Sequence, residues 1–83
     1  APTTYAAPYI VVDASSSIIE AGSSVDFILD GTVYATLVPH NNSRCLMMLS
    51  PDIHDGASFS VSINGNSSED FTVSEGQNVF KLG

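Results

Sequence analysis

Cys45-Leu46-Met47-Met48-Leu49 is the longest unbroken apolar run in this chain, and it decides how we expect the sequence to fold. Arg44 opens the run and Ser50-Pro51-Asp52 closes it. Five residues are too few for a stable isolated helix, and the proline cannot continue one. A strand that is apolar on both faces is typical of a sheet covered on both sides. The run therefore predicts a buried central strand around which the other strands pack.

Short segments rich in β-branched and aromatic residues make up much of the rest of the chain, separated by turn residues. Seven strands are predicted, at residues 9–12, 25–29, 32–38, 45–49, 57–63, 71–73 and 79–82. Ser17 and Glu20 also fit a helix capping box, but a short strand or an irregular segment is the preferred interpretation there. The predicted fold class is all-β, a small antiparallel β-sandwich of about seven strands. Residues 1–8 are predicted to form an extended N-terminal arm, and residues 9–83 a single domain.

Asp30-Gly31 separates two strand-like segments and is the strongest hairpin signal in the chain. A two-residue loop pairs Phe27 with Tyr34. A three-residue loop with a bulge near Gly31 gathers apolar residues on one face, and we prefer it because a one-residue slip reverses every side chain. The pairs that it predicts are Val25 with Leu37, Phe27 with Ala35, and Leu29 with Val33.

Residues 57–63 have the clearest alternation in the sequence, with apolar residues directed inward and serines outward. The loop after this strand begins at Asn64-Gly65. A tight turn there would set Val61 and Ile63 against polar partners, so the loop is predicted to continue to about Asp70. The inward residues are Phe59, Val61 and Ile63.

The charge balance excludes several classes of partner. Only Arg44 and Lys81 are basic, and the formal net charge of the 83 residues is −7. Nucleic acids and anionic membrane surfaces are bound by clustered Lys and Arg, which this chain lacks. No stretch has the roughly 18 apolar residues of a membrane-spanning helix. We therefore expect neither nucleic-acid binding nor membrane insertion.

Size and composition favour an exported protein that associates with other molecules. A chain this short buries only about 60% of the surface that its unfolded form exposes, and a single cysteine cannot form an internal disulfide. Charged residues make up 13% of the sequence, and hydroxyl side chains supply most of the polarity. The start Ala1-Pro2-Thr3-Thr4 is what trimming of a signal peptide after a small residue leaves, although an engineered boundary gives the same start. A secreted or cell-surface location is the expectation.

Two motifs resemble parts of bacterial and archaeal immunoglobulin-like domains. Residues 19–27, Ile-Glu-Ala-Gly-Ser-Ser-Val-Asp-Phe, resemble their opening strand–turn–strand segment, and residues 55–61, Asp-Gly-Ala-Ser-Phe-Ser-Val, resemble one of their late strands. The resemblance implies an immunoglobulin-like sandwich.

A second resemblance covers residues 8–63, about two thirds of the chain. The pattern is similar to the C-terminal β-rich segment of a family of secreted polysaccharide-binding β-helix proteins. It implies export and an all-β fold, but it brings no binding residue, because the ligand and metal sites of that family are expected in the β-helix. The matching features are Ala21-Gly22-x-x-Val25, Asp30-Gly31, Pro39 and Ser50-Pro51-Asp52-Ile53-x-x-Gly56-x-x-Phe59.

Few residues have the pattern of a chemical site. Asp52, His54 and Asp55 lie close together and are weak candidates for metal ligands, but acidic turn residues more often bond their own backbone, so no metal and no other cofactor is expected. Ser, His and Asp are all present, but no nucleophile-elbow motif or glycine-rich oxyanion loop accompanies them, and no catalytic residue is assigned. Cys45 is interpreted as a buried small apolar residue.

One binding role and one modification remain open. Tyr9 and Tyr34 are candidates for stacking on sugar rings, although packing with the hydroxyl at the rim is the favoured interpretation. Asn41 and Asn66 open glycosylation sequons in predicted turns.

The leading functional hypothesis is a non-catalytic, exported structural or adhesive subunit that forms homo-oligomers or a filament by β-strand addition. Its assembly arm is anchored by Tyr9, Ile10, Val11 and Val12, with pairing inside the same chain left open as the alternative. A carbohydrate-binding module that recognises polysaccharide is the second hypothesis.

Overall fold

The computed structural model describes residues 7–82, and none of them is helical. These residues form two sheets, of order β4-β1-β8 and β3-β2-β5-β6, with β7 also paired to β5. The predicted all-β sandwich is confirmed, and the first strand begins at Tyr9, where the domain was predicted to start. Residues 1–6 of the predicted arm lie outside the described residues. The strands are β1 (Tyr9–Asp13), β2 (Val25–Leu29), β3 (Thr32–Leu37), β4 (Cys45–Met48), β5 (Ser58–Ile63), β6 (Asn66–Ser67), β7 (Phe71–Thr72) and β8 (Gln77–Lys81).

The described residues include no helix that could cross a membrane.

Three phenylalanines join the two sheets at the centre of the core. Phe59 of β5 stacks on Phe27 of β2, with ring centroids 6.2 Å apart. Its ring also meets Phe80 of β8 edge to face, at 5.6 Å. Because β8 belongs to the other sheet, this second contact holds the two layers together. Burying each such side chain stabilises the fold by about 1.5–3 kcal/mol. Around them lie Ile10, Val12, Ala14, Ile19, Val25, Leu29, Met48, Ile53, Ala57, Val61, Val73 and Leu82, all buried.

The β2–β3 hairpin combines features of both predicted registers. Asp30 and Gly31 both have positive φ, 50° and 80°, so the loop is a tight two-residue turn of the type that favours Asp-Gly. The register then shifts by one residue, leaving Tyr34 as the extra residue of a bulge. The predicted pairs Val25–Leu37 and Phe27–Ala35 are confirmed, whereas Leu29 pairs with Thr32 rather than with Val33.

The second turn differs from the prediction. Asn64 and Gly65, with φ of 51° and 86°, form a tight turn, and β6 pairs directly with the end of β5. Ile63 therefore pairs with the polar Asn66, and β7 provides an apolar partner only at the start of β5, where Phe71 pairs with Phe59. Ser60 and Ser62 are also buried, contrary to the prediction, because they lie on a central strand between the side chains of neighbouring strands.

The prediction that Cys45–Leu49 forms the central strand is wrong. β4 is an edge strand of the three-stranded sheet, and its side chains alternate. Met48 is buried and Leu46 is half-buried, whereas Met47 and Leu49 are 59% and 71% exposed. Cys45 is likewise exposed rather than buried. The outer face of this sheet is uncovered in the described chain, so an apolar run here does not imply burial on both sides.

Candidate functional site

β3 is the longest strand of the described chain that is exposed at every residue. It lies at the edge of the larger sheet, and all six of its residues are exposed. One edge of β3 pairs with β2, and within residues 7–82 the other edge makes no backbone hydrogen bond. The strand has none of the lysines or prolines that natural sheets use to prevent pairing at an edge, and its one interruption is the bulge at Tyr34. The free edge of β3 can therefore accept another strand.

Tyr34 connects β3 to the other sheet. Its hydroxyl donates a 2.9 Å hydrogen bond to Asp52 Oδ2 and is also hydrogen bonded to Ser50 Oγ. Both partners follow β4, so the edge strands β3 and β4 lie on the same side of the sandwich. The ring of Tyr34 stays 43% exposed, which leaves part of its surface available to a partner.

Most of the large exposed apolar side chains occur on this side of the sandwich, which we call the β3–β4 side. The strand registers place Val33 on the outer face of the larger sheet and Met47 on the outer face of the smaller one, so the exposed apolar residues flank the two edge strands rather than form one continuous patch. The β3–β4 side combines an apolar surface with an unpaired strand edge. Its exposed apolar residues are Val33, Tyr34, Leu37, Val38, Met47 and Leu49.

Tyr9, Ile10, Val11 and Val12 lie in β1, the middle strand of the three-stranded sheet. β4 pairs with one edge of β1 and β8 with the other, and both belong to the same chain. In the structure, these four residues therefore pair inside their own chain, which was the alternative to strand addition between copies. Tyr9 and Tyr34 lie on different sheets, and sugar stacking by either ring stays a prediction.

Asp30 and His54 form a hydrogen-bonded pair at the end of the β2–β3 hairpin. His54 Nε2 lies 2.9 Å from Asp30 Oδ2, and Nδ1 lies 3.1 Å from the carbonyl oxygen of Asp55. Only the protonated imidazole carries a hydrogen on both nitrogens. The hydrogen bond to Asp30, followed by that to Asp55, therefore raises the pKa of His54. Asp30 also accepts a hydrogen bond from the Ser58 amide, which together with His54 lowers the pKa of its carboxyl group.

The predicted metal candidates do not come together. Asp52 is bonded to Tyr34, His54 to Asp30, and Asp55 contributes only its carbonyl to the histidine. Among residues 7–82, no three or more His, Cys, Asp or Glu side chains are grouped so that they could hold a metal ion. Both ring nitrogens of His54 face these acceptors rather than a serine hydroxyl, so the Asp30–His54 pair is not arranged as part of a hydrolase triad.

The Asp30–His54 pair gives the stability of the fold a predictable pH dependence. A raised histidine pKa contributes stability that is fully present below its unfolded value of 6.5 and is lost as pH rises through the folded value. We expect the thermal midpoint to fall as pH rises above 6.5 and through the raised pKa of folded His54, and His54→Gln to reduce that fall. The lowered pKa of Asp30 has the opposite sign, so its contribution is lost in acid, below 3.8. Thermal unfolding followed by circular dichroism measures both effects.

His40→Gln is the matched control, because His40 is exposed in the turn after β3. A fall in midpoint that is the same in His54→Gln as in the unchanged protein would contradict the assignment.

The two sequon residues are accessible. Asn41 lies exposed in the turn after β3, and Asn66 is exposed at the start of β6. Glycosylation at either position stays a prediction.

Sequence reasoning missed β3 as the exposed edge, although one signal was present. Residues 32–43 contain no Asp, Glu, Lys or Arg, in a chain with nine carboxylates. A stretch without charge in an acidic chain is compatible with a surface that other molecules cover.

Comparison of the chain with protein-family models, curated proteins and solved structures gives no match. The resemblances to immunoglobulin-like domains and to the β-rich segment of β-helix proteins therefore stay predictions.

Proposed function

We propose that this protein is a non-catalytic, exported structural or adhesive subunit whose copies associate by β-strand addition at the free edge of β3. The observation that supports this proposal is the exposure of all six residues of β3 beside an unpaired edge. Strand addition derives its affinity from main-chain hydrogen bonds and its specificity from alternate side chains. Both requirements are met by an extended, apolar edge strand.

A two-fold axis beside β3 would pair this strand with the same strand of a second copy in antiparallel orientation. The two five-stranded sheets would then continue into each other. The exposed side chains of Val33 and Leu37 would gain a partner, and the interface would be isologous, with the same surface contributed by both copies. The uncharged character of residues 32–43 supports this arrangement, because a net charge of −7 opposes close approach elsewhere.

Export and a structural role are supported by composition. The low content of charged residues and the many hydroxyl side chains suit a surface outside the cell. Exposed Asn41 and Asn66 are compatible with glycosylation there.

We expect Ala35→Glu to abolish association through β3. Ala35 is exposed on the face directed toward the other sheet, and an inward-pointing charge at a sheet edge is a natural means of preventing pairing. The unchanged protein should show a concentration-dependent rise in mass by sedimentation velocity, and Ala35→Glu should lower the mass reached at each concentration because the β3 contact is lost. Val33→Glu provides a second variant on the same strand.

Ile18→Glu is the matched control, because it adds the same charge at an exposed apolar residue outside β3. It should leave association unchanged. An unchanged protein that sediments as a monomer at every concentration would contradict the proposal, as would association that is as strong in both β3 variants as in the unchanged protein.

A further inference from the structure

The two sheets of the sandwich differ in width, and the difference leaves a groove. The sheet β4-β1-β8 ends at β8, whereas the opposite sheet continues past β5 to β6 and β7. The groove lies between β8 and residues 67–71 and has a volume of about 750 Å³. Phe71 of β7 meets Phe80 of β8 edge to face at 5.9 Å, so an aromatic pair lies between the two sheets here. The place of a fourth strand, next to β8, is empty within the described chain.

The outer edge of β8 carries unpaired backbone groups. The Gly76 carbonyl accepts a hydrogen bond from the Tyr9 amide, and the Leu82 amide donates to the Asp13 carbonyl, so both groups are directed at β1. Alternate residues of a strand direct their backbone groups to opposite neighbours. The amides and carbonyls of Gln77, Val79 and Lys81 are therefore directed away from β1, toward the free edge. Within residues 7–82 no other strand pairs with that edge.

We infer that the groove beside β8 receives residues 3–7 of a second copy of this chain as an added strand. These five residues lie between Pro2 and Pro8, and β8 is also five residues long. Alternation places Thr3, Tyr5 and Ala7 on one face, with the large Tyr5 ring at the centre, where it would pack on Phe71 and Phe80. The inference rests on the proposed function, since it names a second surface through which copies associate.

Charge supports this occupant. Residues 1–12 contain no charged side chain, and Asp13 is the first. The charged residues in the wall of the groove are Glu69, Asp70 and Lys81, so acidic groups are in excess there, in a chain whose net charge is −7. An uncharged segment can approach this surface without the repulsion that an acidic segment would meet.

Geometry favours the segment of another copy over that of the same chain. The position next to β8 lies two strand spacings from β1, or about 9.5 Å. Ala7 and Tyr9 are two residues apart, which allows about 7 Å at full extension. Tyr9 is held in β1 by its pairing with Gln77, so its own residue 7 cannot reach the empty position, and an added strand that includes residue 7 requires another copy.

The consequence is an open assembly. A segment of one copy in the groove of the next is a heterologous contact, which continues from copy to copy unless it closes into a ring. The β3 contact is isologous and by itself stops at a dimer. The groove contact alone would give a single row of copies. With the β3 contact added, two such rows would be joined into a double filament.

The test uses the full chain with Ala35→Glu throughout, which removes the β3 contact. We expect this protein to form chains larger than a dimer in sedimentation velocity. Adding Tyr5→Glu should reduce it to a monomer, because the new carboxylate meets Glu69 and Asp70, whereas Tyr5→Phe should keep the chains. Val79→Pro should also give a monomer, since proline removes the central amide of the free edge, a position where edge strands tolerate it.

Mixing the two monomeric variants tests directly whether the segment of one copy binds the groove of another. The Tyr5→Glu chain keeps an intact groove and the Val79→Pro chain keeps an intact segment, so a 1:1 mixture should double in mass and stop there.

Circular dichroism checks that Val79→Pro is folded, and Lys81→Pro, at the next free-edge position, replaces it if it is not. A mixture that stays monomeric, or chains that persist in Tyr5→Glu, would overturn the inference. If the unchanged protein associates but the Ala35→Glu protein is a monomer, the inference about the groove is contradicted and the proposed function is not. If the unchanged protein never associates, the proposed function is contradicted as well.

Discussion

Phe59→Ala is expected to lower the free energy of unfolding by about 3–5 kcal/mol, the usual cost of deleting a fully buried phenylalanine ring. The ring of Phe59 is completely buried and contacts Phe27 in its own sheet and Phe80 in the other. Its removal therefore opens a cavity between the layers as well as inside one of them. A chain of this size has a total stability of about 4–12 kcal/mol, from roughly 0.05–0.15 kcal/mol per residue. We expect the variant to be barely folded, or unfolded, at 37 °C.

Urea unfolding followed by circular dichroism measures the effect, since the chain has no tryptophan for fluorescence. Phe71→Ala is the matched control, because Phe71 is only half-buried and pairs with Phe80 at the open side of the sandwich. It should cost less than half as much. A larger loss for Phe71→Ala than for Phe59→Ala would show that the two sheets are not joined at Phe59.

Local signals in the sequence predicted most of the strands. Asp-Gly at residues 30–31 and the alternation of residues 58–63 depend on neighbours a few positions away, so turn chemistry and side-chain period were sufficient. The predicted β2–β3 register is right for two pairs because it places Val25 and Phe27 on one apolar face. The bulge was predicted near Gly31 and lies at Tyr34, whose hydroxyl is hydrogen bonded to Ser50 and Asp52 after β4, a contact distant in sequence.

Sheet order could not be predicted from local pattern. β1 and β8 pair in parallel although they stand at opposite ends of the described chain, and no turn signal can indicate such a contact. A run that is apolar at every position, as at residues 45–49, carries no information on which face is buried. This is why β4 was expected at the centre and lies at an edge.

The candidate site was missed for the same reason. Residues 32–37 were predicted to be a strand, and they are one. Whether a strand is an edge, and which of its sides is free, follows from the order of all strands in the sheet. The sequence supported association in general, through size and the lack of disulfides, whereas its location required the three-dimensional arrangement.

Asn78→Asp is expected to destabilise the fold by about 2–4 kcal/mol near neutral pH, because buried polar groups lose their partners and a buried charge is introduced. Asn78 is 4% exposed. Its Nδ2 lies 2.8 Å from the Ser74 carbonyl oxygen, 3.1 Å from that of Tyr9 and 3.2 Å from that of Gly76. Its Oδ1 accepts a hydrogen bond from the Ser74 amide. One side chain therefore holds the turn before β8 against the start of β1.

In the variant, a carboxylate oxygen replaces the amide nitrogen and faces three carbonyl oxygens. Burial and this repulsion should raise the pKa of the new carboxyl group above the ordinary aspartate value of about 3.9. A raised carboxyl pKa gives a destabilisation that is fully present above the folded value and disappears as pH falls below the unfolded one. The difference in unfolding free energy between the variant and the unchanged protein should therefore be large at about pH 7 and small at about pH 3.5.

Asn66→Asp is the matched control, since it makes the same chemical change at an exposed residue of β6. Its effect should stay within about 0.5 kcal/mol at either pH, as for most surface substitutions. Asn78→Leu removes the hydrogen bonds without adding a charge, so its cost should not vary with pH. If Asn78→Asp and Asn78→Leu showed the same pH profile, the three carbonyl oxygens would not surround this side chain. The junction between β1 and β8, which brings the ends of the described chain into one sheet, would then depend on other contacts.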